Sequence, residues 1–364
     1  MIDFEFQPSL PSPQIPASEW SFADGCVFAS QLYNSIYYAV TMGLIRELGH
    51  ERTYEIHARL LRHHQEHFFL DGLRKLRLDQ EGSDAVRCAK YHWMSNAIGG
   101  VRTGCVVENR NKAWMFYFPH TPDNAWPGQA AIVHTKGNML SDYIGWHGNN
   151  GRLLGNPGLR YVATHFVCEG DPYDGGYFED TGRALEPGEL VIERPGERPP
   201  RDLPIQTCRL DEAQWPPQRQ SRALRNYAVT WAADRVWSVL HECGPAGDAI
   251  TRKAIQAVLF SWMPRLRVAF GPRQPGADAC AELAVYLAGF HTVAGIDASV
   301  EITAEGARVV LQRTLGDFVG GSMSVQEARR YTQIVVGAWR TVADGLGVDL
   351  LVDATGRTWA LRGA

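Results

Sequence analysis

Residues 102–118, RTGCVVENRNKAWMFYF, decide the fold class. Apolar and polar side chains alternate on either side of Asn109-Arg110-Asn111, the pattern of a β-hairpin with one buried face. Pro119 ends the second strand, because a proline cannot donate to a strand ladder. Upstream, residues 84–98 read as a helix that passes through Gly100 into the hairpin. The same succession recurs at residues 297–312, DASVEITAEGARVVLQ, again behind a helical segment and a glycine, Gly295. A helix running into a hairpin, twice, predicts an α+β protein of two related halves. Each half has amphipathic helices packed on a small antiparallel sheet.

Other matches point the same way. YAVT occurs at Tyr38–Thr41 and at Tyr227–Thr230, and GSDA at Gly82–Ala85 answers GADA at Gly276–Ala279. The offset drifts from 189 to 194–195 residues, so one insertion reconciles the halves. An internal duplication accounts for both matches. Its expected layout is an irregular arm over 1–24, a site-bearing half over 25–181, a Pro-rich linker or strap over 182–220 and a degenerate half over 221–364. Helices are expected at 28–48, stopped by Gly49, and at 51–70, 138–147 and 324–346. LRYVATHFVCEG (159–170) reads as a strand, DPYDGGYF (171–178) as the loop leaving it, and 348–352 as a strand before a turn at Thr355-Gly356-Arg357.

A chain of 364 residues exceeds the size at which a single core stops growing, which suits two halves. A formal charge of −4 gives no electrostatic reason to bind nucleic acid or an anionic membrane. No run of eighteen apolar residues predicts a membrane span, and the acidic, then proline-rich N-terminus lacks the pattern of a signal peptide. Seven scattered cysteines with no CxxC pair fit reduced thiols, so a cytoplasmic protein is expected. A homodimer is the expected assembly, on the general prevalence of two-fold pairs.

Chemistry concentrates between Gly145 and Phe178, GWHGNNGRLLGNPGLRYVATHFVCEGDPYDGGYF. This stretch holds His147, His165, Cys168, Glu169, Asp171, Asp174 and three tyrosines. In the corresponding part of the second half, residues 337–359, there is no His, Cys or Tyr. The working site is therefore expected in the first half. On a strand, His165 and Cys168 point to opposite faces, so His147 is the better-placed base for a Cys168 nucleophile. Asp171 before Pro172 serves either turn formation or the orientation of a histidine. Tyr173 and Tyr177 can donate to a carbonyl or stack on a ring. Glu108 and Lys112 read as an ion pair across the hairpin turn, with Lys112 otherwise a partner for a substrate carboxylate. Trp93, Trp114, Trp126 and Trp146 suggest an aromatic-lined pocket.

A second candidate is HHQEH at 63–67, a formal match to H-x-x-E-H, in which His63, Glu66 and His67 would serve a zinc-dependent enzyme. No third metal ligand is announced downstream. The absence of a G-x-G-x-x-G after a strand and of GK[ST] disfavours nucleotide cofactors, and the absence of G-x-S-x-G disfavours an α/β-hydrolase.

The order of helices, hairpin, helix and strand, together with Tyr91, Ser95-Asn96, Gly99-Gly100, Glu108, Lys112 and Gly170-Asp171-Pro172, resembles the L-2-amino-thiazoline-4-carboxylic acid hydrolase family. More distantly it is similar to 4-vinyl-reductase-type small-molecule-binding domains. The resemblance covers residues 30–180 and, more faintly, 225–353. It implies hydrolysis of a C–N bond in a small cyclic amidine, thiazoline or amide. Where such a domain is expected to carry a cysteine in its final loop, this chain has Tyr173-Asp174. The expected scheme uses His147 or His165 as general base, activating water or Cys168, with Asp171 orienting the histidine. Asn149, Asn156 or Tyr173 polarises a substrate packed near Trp146, and no cofactor is required. Two alternatives stand beside it, the zinc enzyme and a non-catalytic small-molecule sensor.

Overall fold

In the computed structural model, the described residues are 16–363 without 81, 119–134, 208–209, 272–277 and 320. Trp126, Cys208, the start of the second GADA repeat and most of the expected arm lie outside them. Residues 48–220 form one compact unit, and the described residues of 8–47 group with those of 221–364 in another. The first helix therefore belongs with the second half of the sequence, a different partition from a boundary at 25.

The protein is α+β, and the two halves share one order of elements. Helix α1 (Phe22–Lys75) spans 54 residues and breaks at Gly49, where φ is 78°. Helix α5 (Pro217–Phe270) also spans 54 residues and breaks at Gly244, where φ is 54°. Glycine is required at both breaks because a Cβ resists positive φ. A shift of 195 residues takes one helix onto the other, and takes α2 (Asp84–Ile98) onto α6 (Ala279–Val293). Both short helices are N-capped by side chains, Ser83 and Asp278, and both leave through a glycine of positive φ, Gly100 and Gly295.

The hairpins follow as β1 (Thr103–Asn109) and β2 (Lys112–Tyr117), and as β7 (Ala298–Thr303) and β8 (Gly306–Leu311). In the first half come α3 (Lys136–Gly145), a 3-10 turn His147–Asn149, α4 (Asn150–Leu154), β3 (Leu159–His165) and β4 (Asp174–Asp180). In the second come α7 (Leu315–Phe318), α8 (Val325–Gly345), β9 (Val348–Val352) and β10 (Thr358–Gly363). The central strand order β3-β4-β2-β1 matches β9-β10-β8-β7.

One expected loop is a strand. DPYDGGYF supplies β4, because Gly175 and Gly176 serve close approach rather than a turn: a Cβ on Gly176 would overlap the Val162 carbonyl. The turn expected at Thr355-Gly356-Arg357 is present, with the Gly356 amide donating to the Asp353 carbonyl, and it leads into β10. The expected strand over 159–170 stops at His165, and Val167–Glu169 turns as a 3-10 helix.

The Pro-rich segment contributes strands of its own. β5 (Val191–Glu193) pairs in parallel with β3, and β6 (Gln206–Thr207) pairs with β1, so the first sheet has six strands and one parallel pairing. Between them, Ile192, Leu203 and Ile205 cover an outer cluster of Val106, Trp114, Phe116, Val162 and Tyr177. Among the described residues, no helix is long and apolar enough to cross a membrane.

Candidate active site

Strand pairing sorts the expected residues onto two faces of the first sheet. Tyr177 pairs with Trp114 and Val162, all in the outer cluster under the Pro-rich segment. Phe178 pairs with Ala113 and Tyr161 and faces the helices. A bulge at Thr164 changes the alternation, so His165 pairs with Gly175 and joins the outer face. There its ring lies 4.7 Å from that of Tyr173, tilted by 48°, and it shares a 2.7 Å hydrogen bond with Thr164 Oγ1. His147 packs from the helical side, 4.2 Å from Tyr161 and 5.2 Å from Phe178. The two expected bases therefore do not converge.

The helical face carries a continuous seam of polar and aromatic groups. It begins where α3 closes on the second segment of α1. Gly145 permits that approach, since a Cβ would overlap the Ala58 carbonyl, and Gly137 lets the Tyr54 ring lie against it. The approach brings Asp142 to His57, whose Nε2–H donates to Asp142 Oδ1. Asp174, at the first position of β4, lies across from Tyr117 and is 7% exposed. Its Oδ1 accepts from the Val167 amide at 2.8 Å. Burial pushes the Asp174 carboxyl up to about 6, against the pull of that amide, and the negative charges of Asp142 and Asp171 add to the rise.

Tyr143 stands beside both carboxylates and is fully buried. Its ring lies 4.7 Å from that of Tyr161, and neither hydroxyl has a hydrogen-bond partner outside this pair. Next along the seam, Tyr117 Oη and His147 Nε2 share a 3.1 Å hydrogen bond. His92, from α2, lies 4.3 Å from His147, and its Nε2 accepts from the Asn150 amide at 2.8 Å. The Nδ1 atoms of both histidines are buried without partners. Burial drives His92 down to about 3, against the Asn150 hydrogen bond, and holds His147 well below the ordinary imidazole range, with His92 adding to the effect. Both rings are therefore neutral. Beyond them, Gln65 donates to Asn150 Oδ1 and accepts from Asn149 Nδ2 at 3.1 Å. Trp146 closes this end, 4.8 Å from His92.

Several expected residues have other work. Cys168 is exposed in the 3-10 turn, and burial together with the charges of Asp174 and Glu169 raises its thiol, the opposite of nucleophile activation. Asp171 accepts from the Phe166 amide at 2.8 Å and fixes the turn. Asn156 ties Asp84 to Asp180 and accepts from the Gly158 amide, away from the seam. Asn149 accepts from Arg152. Lys112 binds Glu197 at 2.8 Å and Glu108 at 3.4 Å, and lies over the rings of Tyr177 and Trp114. Glu66 holds Arg152, and His67 Nδ1 donates to the His63 carbonyl. Among the described residues, no group of three His, Cys, Asp or Glu side chains is placed to hold a metal.

His57, Asp142, His92, Tyr117, Tyr143 and Tyr161 had not been singled out from sequence. The second half supplies the signal that marks them. The cross-strand row Ala113–Phe178–Tyr161 corresponds to Ala307–Leu361–Leu350, and Tyr117–Asp174 to Leu311–Arg357. At the shift of 195 residues, His92 corresponds to Leu287, His57 to Arg252 and Gln65 to Phe260. The same architecture thus folds with leucine where the first half keeps tyrosine and histidine, so the fold does not require the seam's polar groups. No family model, curated protein or solved structure matches the chain.

Proposed function

We propose that the first half hydrolyses a C–N bond of a small ring-bearing amidine- or amide-like molecule, with water as nucleophile and Asp174 as the proton-transfer group. The observation that carries this reading is the buried Asp174 carboxyl, poised near 6 beside Asp142, which His57 holds in place. Groups tuned toward the working pH by burial and a neighbouring like charge are characteristic of acid–base sites.

Above pH 6 the Asp174 carboxylate takes a proton from water as the oxygen bonds to the amidine or amide carbon. It then returns that proton to the departing nitrogen, so the C–N bond breaks with no net proton gained by the enzyme. Tyr143, Tyr161 and the neutral His147 ring offer hydrogen bonds to the tetrahedral intermediate. Cys168 has no part in this scheme, and neither a metal nor a cofactor is called on.

The test is release of ammonia or amine from a panel of cyclic amidines, thiazolines and lactams. A rate that rises with pH through about 6, and falls roughly 10²–10⁴-fold in Asp174→Asn, supports the scheme. Turnover unaffected by that substitution refutes it. A second reading, ligand binding without turnover, is favoured by the low basicity of His92 and His147, which suits recognition by neutral hydrogen-bonding groups. Saturable binding with no product from any member of the panel selects it.

A further inference from the structure

We propose that the seam selects a cation, so that its substrate binds as an amidinium or a comparable protonated nitrogen base and not as a carboxylate. This rests on the assignment of Asp142 and Asp174 to the site and goes on to give the ligand its charge. It departs from the alternative in which Lys112 receives a substrate carboxylate.

Three observations carry it. First, two carboxylates from different elements, Asp142 on α3 and Asp174 on β4, both stand beside the buried Tyr143, and the charges of Asp142 and Asp171 act on Asp174. Second, the nearby cations are already committed. Lys136 is held between Glu169 and Glu193 at 2.9 Å each, and Arg152 is taken by Glu66. Lys112, the residue expected to receive a substrate carboxylate, lies on the opposite face between Glu197 and Glu108. His57 is likewise taken by Asp142, so a carboxylate ligand would add a further negative charge beside Asp142, Asp171 and Asp174 with no uncommitted cation among these to receive it. Third, the groups beside the carboxylates are built for a ligand. Tyr143 and Tyr161 bury hydroxyls with no partner outside their pair, and His147 buries an unpartnered Nδ1. An amidinium offers two parallel N–H groups to a carboxylate, a pairing stronger than that of a neutral amide.

The groups facing Asp174 are Asp142 and Tyr143 from α3, Tyr161 from β3, Tyr117 from β2, and Cys168 and Asp171 from the turn. His57, from α1, reaches the same place through Asp142. Acidification through the Asp174 titration therefore removes the charge on which a cation depends.

Calorimetric titration of the full chain with benzamidine, benzamide and benzoate tests this, since the three share shape and differ in charge. The expected order of affinity is benzamidine, then benzamide, then benzoate, with at least a tenfold span at pH 7.5. Benzamidine affinity should fall several-fold between pH 7.5 and 5, and Asp174→Asn and Asp142→Asn should each erase most of the preference. Circular dichroism of both variants establishes that they are folded. Equal or tighter binding of benzoate, a preference that survives in both variants, or binding of none of the three overturns the proposal. If the charge preference holds and no amidine is hydrolysed, the proposed reaction fails while this inference stands. If amidines are hydrolysed with no charge preference, the reverse is true.

Discussion

Replacing Asp174 by Asn should make the protein more stable, and only above a defined pH. In the native state the carboxyl is raised from 3.8 to about 6, so folding favours its protonated form. Stability from this group is fully present below pH 3.8 and is lost as pH rises through about 6. A shift of about 2 units corresponds to about 3 kcal/mol, an upper bound to order of magnitude. The residue is 7% exposed, so solvent screening removes little of it. Asn keeps an oxygen for the Val167 amide while abolishing the ionisation. The variant should therefore match its parent near pH 4 and exceed it by roughly 2–3 kcal/mol at pH 8. Because the chain holds two units, one global unfolding curve is a poor measure. Hydrogen exchange of β3 and β4 amides in graded urea, from pH 4 to 8, reads the relevant unit directly. A difference that does not change with pH, or a variant less stable at pH 8, would refute the reasoning. Higher stability together with lost turnover is the signature of a strained functional group.

Three further outcomes are expected. His92, driven down to about 3, costs the native state stability as pH falls from 6.5 toward 3, by up to about 4–5 kcal/mol. His92→Leu removes that loss but strands the Asn150 amide, at about 1–3 kcal/mol, so the stabilities of variant and parent, read by the same hydrogen exchange in graded urea, should cross between pH 7 and pH 4. Cys168→Ala should leave turnover and fold unchanged, and the exposed thiol should react with a disulfide reagent more slowly than free cysteine at pH 7; faster reaction would show an activated thiolate. Gly145→Ala drives a Cβ into the Ala58 carbonyl and should push α3 off α1. A loss of roughly 1–3 kcal/mol is expected, with a matching fall in turnover from a displaced Asp142, read by thermal melts and product release.

Local rules carried much of the architecture. Glycine stops after amphipathic runs marked the break at Gly49 and the exits at Gly100 and Gly295, and alternation around Asn109–Asn111 placed the first hairpin. The same rules misjudged DPYDGGYF, because two adjacent glycines look alike whether they turn the chain or let a neighbouring strand approach. The site was less legible for a related reason. One extra residue at Thr164 moves His165 to the other face, and nothing in ATHF announces a bulge. Asp142 and His57 lie 85 residues apart and meet only because two helices close over glycine. Burial, which gives Asp174 its raised titration, is a property of the packed core and is absent from any window of sequence.

The two halves also bear on why the seam persists. A row of leucines at 350, 361 and 311 fills the second sheet where the first has Tyr161, Phe178 and Tyr117. The first half instead buries Tyr143, Tyr161 and His147 with polar atoms that lack partners outside the group, although burying unpartnered polar atoms costs about 1–3 kcal/mol each. Two copies of one architecture, under the same packing rules, would drift toward the cheaper leucine solution unless something opposed it. A bound ligand would do so, because it would supply the missing partners to Tyr143, Tyr161 and His147. The orphaned atoms and the leucine-filled twin thus point to the same cause. Replacing Tyr161 by Leu alone, which imports the second half's solution, should leave the first unit folded and weaken benzamidine binding at pH 7.5 about tenfold or more, whereas unchanged binding would mean that the seam is only packing.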